Sequence, residues 1–292
     1  MPVFDFKERE SIILAMKEES GRGKKPTPWG RVAVWYDNFL ETRADTYQVN
    51  LILPNLLRLL GDLKGKKILD LACGQGFFSR AIADLGAEVT GIDISKELID
   101  LAKRRPDAKT GGKIKFLTAS ADRLPFREKT FEAVVSVLAL QNIKNLSGAV
   151  SEVNRVLKNG GRFLIVINHP AFRIPKKSDW GFDEVKRTQF RLVEGYLSES
   201  TVKIDMHPGR QGSRVYTTSF HRPLQVYFKV LAKCGFAVTR LEEWVSHKKS
   251  TPGPRASAEN RARREFPLFL FLEAVGSWAA KSVRLTKSDI IS

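Results

Sequence analysis

Two carboxylates and a pair of glycines are the residues of this chain best suited to act together. Ile68-Leu69-Asp70-Leu71-Ala72-Cys73-Gly74-Gln75-Gly76 sets an acid at the end of an apolar run and two glycines in the turn that follows; Asp93 closes the next apolar run. Glycine serves such a turn because a side chain would block close approach of a ligand to the backbone, and because tight turns often need positive φ. The acid decides what the ligand can be. A dinucleotide fold must receive a pyrophosphate here, which a carboxylate repels, and it requires Gly-x-Gly-x-x-Gly. Counted from Gly74, the third glycine position holds Ser79. A cationic ligand with an amino group and a sulfonium suits Asp70 better. Asp93 is placed to accept hydrogen bonds from the vicinal hydroxyls of a ribose, or to cap a helix beginning near Ser95.

His169 follows the fifth apolar run in Ile167-Asn168-His169-Pro170. An imidazole titrates near pH 6.5 and suits deprotonation of a hydroxyl or amine near neutrality, or it can simply bond to loop backbone. His207 stands in a turn and is a weaker candidate; His247 stands in a basic loop. Cys73 and Cys234 form no Cys-x-x-Cys and no cluster with the four histidines, so neither a disulfide framework nor a metal site is indicated.

The elements that must position these groups begin at about Lys66, where short apolar runs alternate with helical segments. Strands are expected over residues 67–71, 88–92, 114–118, 133–137 and 162–167, with helices over 77–85, 96–104 and 147–157 between them. Such alternation predicts an α/β fold, a doubly wound and mostly parallel sheet covered on both faces, with its ligand beyond the carboxyl ends of the strands. Residues 168–222 are polar, basic and aromatic and too long for an ordinary connection, so they read as an inserted cap on a core spanning 65–292. Later come a helix over 224–234, a strand over 237–244, a basic loop over 246–265, a last strand over 267–275 and a loosely held tail. Residues 1–64 read as N-terminal helices: an amphipathic one over 1–20, a linker, and a block over 35–60 interrupted near Pro54.

Five motifs follow in order: Leu69 to Gly76, then Gly91-Ile92-Asp93-Ile94-Ser95, Ser120-Ala121-Asp122-Arg123-Leu124-Pro125-Phe126, Phe131-Glu132-Ala133-Val134-Val135, and Leu157-Lys158-Asn159-Gly160-Gly161-Arg162. On these the chain resembles the class I S-adenosylmethionine-dependent methyltransferases of the small-molecule type, with their seven-stranded Rossmann-like sheet. The resemblance implies S-adenosylmethionine as cofactor. Ala72 and the Gly74–Gly76 turn would back its methionine part, Asp93 take the ribose and Ile94 pack on adenine. Ser120, Ala121 and Asp122 would border the adenine amino group, although many relatives have an acid where this chain has Ser120. Leu138 to Gln141 would line the methyl-transfer channel, and Tyr36, with Tyr47, would belong to helices folded over the cofactor. Ser219-Phe220-His221-Arg222-Pro223-Leu224 is similar to a His-Arg-Pro-Leu found near the acceptor pocket of small-molecule relatives, which implies that His221 orients substrate and Arg222 clamps an anion.

The net charge is +17, and residues 170–292 carry +10 of it. That excess favours an acidic partner, whether a phosphorylated small molecule, an anionic lipid surface or a nucleic acid, but a soluble basic surface with no partner would look the same. No run reaches the ~18 apolar residues of a membrane span, and a cytoplasmic location is expected. Three readings stand: methylation of a small acidic or aromatic acceptor under the cap, RNA methylation using the basic second half, and a non-catalytic cofactor-binding subunit. No Asn/Asp-Pro-Pro-Tyr/Phe follows the fourth run, where Leu140-Gln141-Asn142-Ile143 stands, which tells against methylation of exocyclic base amines.

Overall fold

The computed structural model describes residues 27–42, 44–105, 113–206 and 215–276. The expected helix over 1–20, the tail, His207 and the side chain of Tyr36 lie outside the described residues.

Seven strands form one sheet in the order β10-β11-β5-β4-β1-β2-β3. They are β1 (Lys67–Leu71), β2 (Glu88–Asp93), β3 (Ile114–Thr118), β4 (Phe131–Val137), β5 (Leu157–Asn168), β10 (Phe236–Trp244) and β11 (Phe269–Gly276). Pairs among β1 to β5 are parallel; β11 runs antiparallel to both β5 and β10. The order reverses direction at β1 and β4, whose carboxyl ends therefore flank an open crevice.

Burial is nearly continuous along the central strands because both faces are covered. Phe163, Ile165 and Ile167 pack with Val150 and Val153 of α5 (Leu146–Val156) and with Tyr227 and Leu231 of α6 (Leu224–Lys233). Leu164 and Val166 face the other way, towards Leu56, Leu60, Phe78 and Ile82. Those last residues come from α2 (Leu53–Leu60) and α3 (Phe77–Ala83). Asp70 shares the face of Ile68, the α3 face, and this turns an acid into the crevice rather than into the core.

Two expectations are corrected. Pro54 interrupts nothing: α1 (Ala33–Thr42) ends earlier, and a wide turn over Gln48–Ile52 runs straight into α2, where proline occupies the first turn and no backbone donor is missed. The basic loop after Ser246 carries α7 (Ala256–Glu265), whose buried side chains are only Ala258 and Ala262. Residues 168–222 contain two antiparallel hairpins, β6 (Ser178–Asp183) with β7 (Thr188–Val193) and β8 (Ser200–Asp205) with β9 (Tyr216–His221). The remaining helix, α4 (Lys96–Arg104), is capped by Ser95, whose hydroxyl accepts from Leu98 N at 3.2 Å. No described helix is long and apolar enough to cross a membrane.

Candidate active site

The chain leaves β1 through Ala72, a non-glycine residue at φ +59°, and passes Gly74 at +58° before Gly76, at +81°, opens α3. Gly76 does not face the crevice. A Cβ there would stand 2.6 Å from the Phe116 ring, so this glycine lets the turn close onto β3. The same turn is tied to β2, because Cys73 N donates to Ile92 O at 2.8 Å and Gly74 N to Asp93 Oδ2 at 3.0 Å. Asp93 Oδ1 accepts from Ser95 N at 2.9 Å, which fixes the carboxylate while leaving each oxygen a lone pair. Burial pushes the Asp93 carboxyl up, against the pull of its backbone donors.

Asp70 is more perturbed. It is buried, and burial raises its pKa to about 7; the Ser79 hydroxyl, donating to Oδ2 at 2.6 Å, opposes the rise and the negative charge of Asp93 adds to it. A carboxylate with a single described side-chain donor and no described cation is one that a positive ligand would restore to its ionised form. Burial also lifts the Cys73 thiol well up, so it stays protonated and is no nucleophile.

Two joined hollows follow from this arrangement. The inner one, about 120 Å³, is walled by Asp70, Ala72, Gly74, Asp93, Ile94 and Leu138. Sharing Ala72, Asp93 and Ile94 with it, the outer one, about 930 Å³, runs along the end of β3 past Ser120, Ala121 and Asp122. Ile94 is 57% exposed, an apolar platform turned to the groove. Ser120 Oγ donates to Asp122 Oδ1 at 2.5 Å, and Asn145 Nδ2 donates to Oδ2 at 2.9 Å. These two donors hold the Asp122 carboxyl below its usual range, in the ionised, accepting form.

A methyltransferase-domain family model matches residues 69–165. A demethylmenaquinone methyltransferase of Tropheryma whipplei (strain Twist) is 38% identical over 114 residues, 39% of this chain and 46% of that protein. One from Thermus thermophilus is 36% identical over 134 residues, 45% of this chain and 58% of that protein. The chain thus spans about half the length of the curated relatives it matches. The crystal structure of an S-adenosylmethionine-dependent methyltransferase from Mesorhizobium loti superposes with a TM-score of 0.60 at 26% identity, covering 76% of this chain and 96% of the other. Residues 69–165 thus form a methyltransferase domain, and the chain shares its fold with S-adenosylmethionine-dependent methyltransferases of known structure.

S-adenosylmethionine, the cofactor of those enzymes, fits the groove chemically. Asp70 wants a cation, Asp93 has lone pairs to spare for hydroxyls, and Ile94 offers an exposed apolar face to a flat ring. Trp29 was not singled out from the sequence, yet it borders the inner hollow, the outer hollow and the cavity next to them. An isolated aromatic after Pro28 carries no periodicity to mark it.

That third cavity, about 610 Å³, lies across Leu138 and Asn142 from the cofactor groove. Leu138 holds φ +54° immediately after β4, a second strained strand end facing the first. Gln141 is buried, with Nε2 donating to Leu138 O at 2.8 Å and Oε1 buried without a partner. Much of the remaining wall comes from residues 168–222, including Arg173, Ser178, Arg191, Thr217 and Ser219.

The residues expected to do acid–base work and anion binding are engaged elsewhere. His169 Nδ1 accepts from Ala171 N at 3.2 Å and Phe172 N at 3.3 Å, so the proton sits on Nε2, which donates to Glu243 at 2.7 Å. Burial lowers its pKa despite Glu243, and it borders none of the three cavities. This geometry is that of an anchor with its lone pair already used, not a free base. Arg222 is corrected likewise. It donates to the carbonyls of Leu140 (3.3 Å), Ile143 (2.8 Å) and Lys144 (3.0 Å), with Glu199 at 3.9 Å, so its guanidinium braces the loop after β4 and has little left for an anion. His221 Nε2 donates to Tyr196 O at 2.8 Å, and no described residue bonds to Nδ1. It borders a small hollow with Gln141 and Arg173.

Proposed function

We propose that the protein transfers the methyl group of S-adenosylmethionine to a small molecule, acidic or aromatic, seated in the cavity bordered by Gln141 and the segment 168–222. One observation carries this reading: Leu138 and Asn142 form a shared wall between the cofactor groove and a second, partly polar, open cavity of about 610 Å³. The family match over residues 69–165 ends before the segment that lines this cavity, so the acceptor is read from the cavity itself. Relatives named for demethylmenaquinone are consistent with a small-molecule acceptor.

The cofactor supplies an electrophilic methyl on a sulfonium, and the chain's own residues align and desolvate the reactants. Asp70 takes the cationic methionine end, Asp93 the ribose hydroxyls, Ile94 the adenine face, and Ser120 with Asp122 the adenine edge. The Ala72 and Gly74 backbone lets the ligand lie close to the end of β1. Gln141 Oε1, a buried acceptor with no donor among the described residues, accepts from the proton-bearing nucleophile beside Leu138. With His169 committed, no strong base stands at the site, so an acidic nucleophile suits it: its proton is released to solvent as the methyl leaves sulfur, and His221, beside Gln141, orients the acceptor through Nδ1.

The basic residues of α7 weigh against a nucleic-acid acceptor. Arg255, just before α7, pairs with Glu184, Arg261 donates to Arg187 O at 3.4 Å, and Arg263 donates to Ser250 Oγ at 3.2 Å, so three of the four arginines about α7 tie it to its neighbours. The test is incubation with methyl-labelled cofactor and a cell extract split into small-molecule and nucleic-acid fractions. Label is expected in small molecules; label confined to nucleic acid, or none released in any fraction, overturns the reading.

A further inference from the structure

Arg173 stands apart from every other charged group of the acceptor cavity. Its guanidinium lies over the Phe269 ring, 5.0 Å from the centroid, and both residues line the cavity. Among the described residues no hydrogen-bond acceptor and no carboxylate meets that guanidinium. Elsewhere in the described chain, buried and half-buried arginines are provided for: Arg222 has three carbonyls, and the half-buried Arg162 has the carbonyls of Leu59 and Leu60 with Glu273. A guanidinium left in a half-buried hollow without an acceptor forgoes strong charge-assisted bonds.

The surroundings deepen the deficit of negative charge. Arg191 lines the same cavity; its Nε donates to Phe172 O and its Nη2 to Ser178 Oγ, both at 2.8 Å, which leaves Nη1 without a described acceptor. Lys248 is also in the wall but already satisfied, with Asp45 at 3.2 Å and the Tyr47 ring beneath it. Asp45 is the sole acid of that wall among the described residues, and His247 and Lys248 share it. Burial pushes both the Arg173 and Arg191 guanidinia down from their ordinary range, and for Arg173 the charge of Arg191 adds to that.

We propose that Arg173 is the specificity-determining residue of the acceptor site, gripping an oxyanionic group of the methyl acceptor in two places with Arg191 as the second donor. This rests on reading the cavity as the acceptor site. A planar carboxylate or a phosphate presents the paired oxygens that a guanidinium fork matches, whereas a neutral amide or alcohol leaves the cation uncompensated. The group methylated then lies at the far end of the acceptor, by Gln141 and the Leu138 wall, so the anion is a handle and not the nucleophile.

The test uses the full chain saturated with S-adenosylhomocysteine and titrated calorimetrically with benzoate, phenyl phosphate and benzamide, for wild type, Arg173→Met and Arg173→Lys. At least one anion is expected to bind at least tenfold more tightly than benzamide; Arg173→Met should erase that preference, and Arg173→Lys should recover only part of it. The better anion distinguishes a carboxylate handle from a phosphate one. Benzamide within twofold of both anions, neither anion binding, or anion affinity unchanged in Arg173→Met overturns the inference. S-adenosylhomocysteine affinity, measured first, is expected to be the same in all three proteins. Its absence in wild type sinks the methyl-transfer reading instead, and its loss in a variant marks a folding failure for which Arg173→Gln and Arg191→Met serve as replacements.

Discussion

Asp70→Asn is expected to make the ligand-free protein more stable and the cofactor-binding protein worse. Burial holds the Asp70 carboxyl at about 7 against an ordinary 3.8. Between those values the folded state keeps a proton that the unfolded state has lost, so stability falls as pH rises through that window and the cost levels off above about 7. At 1.36 kcal/mol for each pH unit between the two values, the ionised carboxylate destabilises the empty protein by about 4 kcal/mol at pH 8. Asparagine keeps the shape and a partner for Ser79 without the charge. Allowing for relaxation, denaturation at pH 8 should show a gain of about 2 to 4 kcal/mol, and the gain should vanish at pH 4 where both side chains are neutral.

The same substitution removes the counter-charge for the cofactor. Below pH 7 the wild-type protein must lose the Asp70 proton before pairing with a cation, so S-adenosylmethionine affinity should fall about tenfold for each pH unit from 7 downwards. Calorimetry in buffers of different ionisation enthalpy should detect close to one proton released at pH 6 and little at pH 8. In Asp70→Asn the profile should be flat and binding weak throughout. Wild-type affinity independent of pH from 5.5 to 8.5, or a variant that binds as well as wild type, refutes the assignment of Asp70 to the cation.

Arg222→Met should lower unfolding free energy by about 3 to 5 kcal/mol, since three carbonyls of the loop after β4 lose charge-assisted donors at once. S-adenosylhomocysteine binding should persist while acceptor KM rises; equal stability in chemical denaturation removes the bracing role. His169→Asn should lower the melting temperature yet keep turnover within about fivefold, with the acidic limb of the pH–rate profile in place. A general base would instead give a drop of about 10²- to 10⁴-fold.

The sheet was legible because its strands are buried on both faces and read as apolar runs with little alternation. β1 and β3 fall on their expected residues, and α4 does so because Ser95 supplies a cap just before an amphipathic stripe. α7 was missed for a physical reason: two alanines are its whole buried face, amid arginines and glutamates that look like a solvated loop. The hairpins of 178–221 were hidden because their buried and exposed positions do not separate into apolar and polar types; Leu192 and Val193 are exposed, for example, whereas Thr217, Ser219 and His221 are buried. On the cofactor side the groups sit next to strand ends that the sequence locates, so Asp70, Asp93 and Ile94 could be found. On the acceptor side they depend on contacts across long separations. Nothing local to Arg222 announces carbonyls 78 to 82 residues away, and nothing local to Arg173 announces that no acceptor meets it.

Several unfavourable features gather at the carboxyl edge of the central strands. Ala72 and Leu138 hold left-handed backbone at the ends of adjacent strands, Asp70 holds a buried acid, Gln141 a buried oxygen without a donor, and Arg173 a guanidinium without an acceptor. A core selected for stability alone would replace each of them; together they leave an acid, a lone pair and a cation pointing at three different parts of one reacting pair. Strain and unsatisfied charge of about 1 to 3 kcal/mol apiece are tolerable only where the surrounding packing fixes them. Here the two side-chain layers built around β5 supply that packing. Removing Asp70's charge while leaving Arg173 intact should therefore separate the two halves of the site: cofactor affinity lost, the preference for anions over benzamide retained. Loss of both together would mean that the edge behaves as one cooperative unit whose parts cannot be assigned singly.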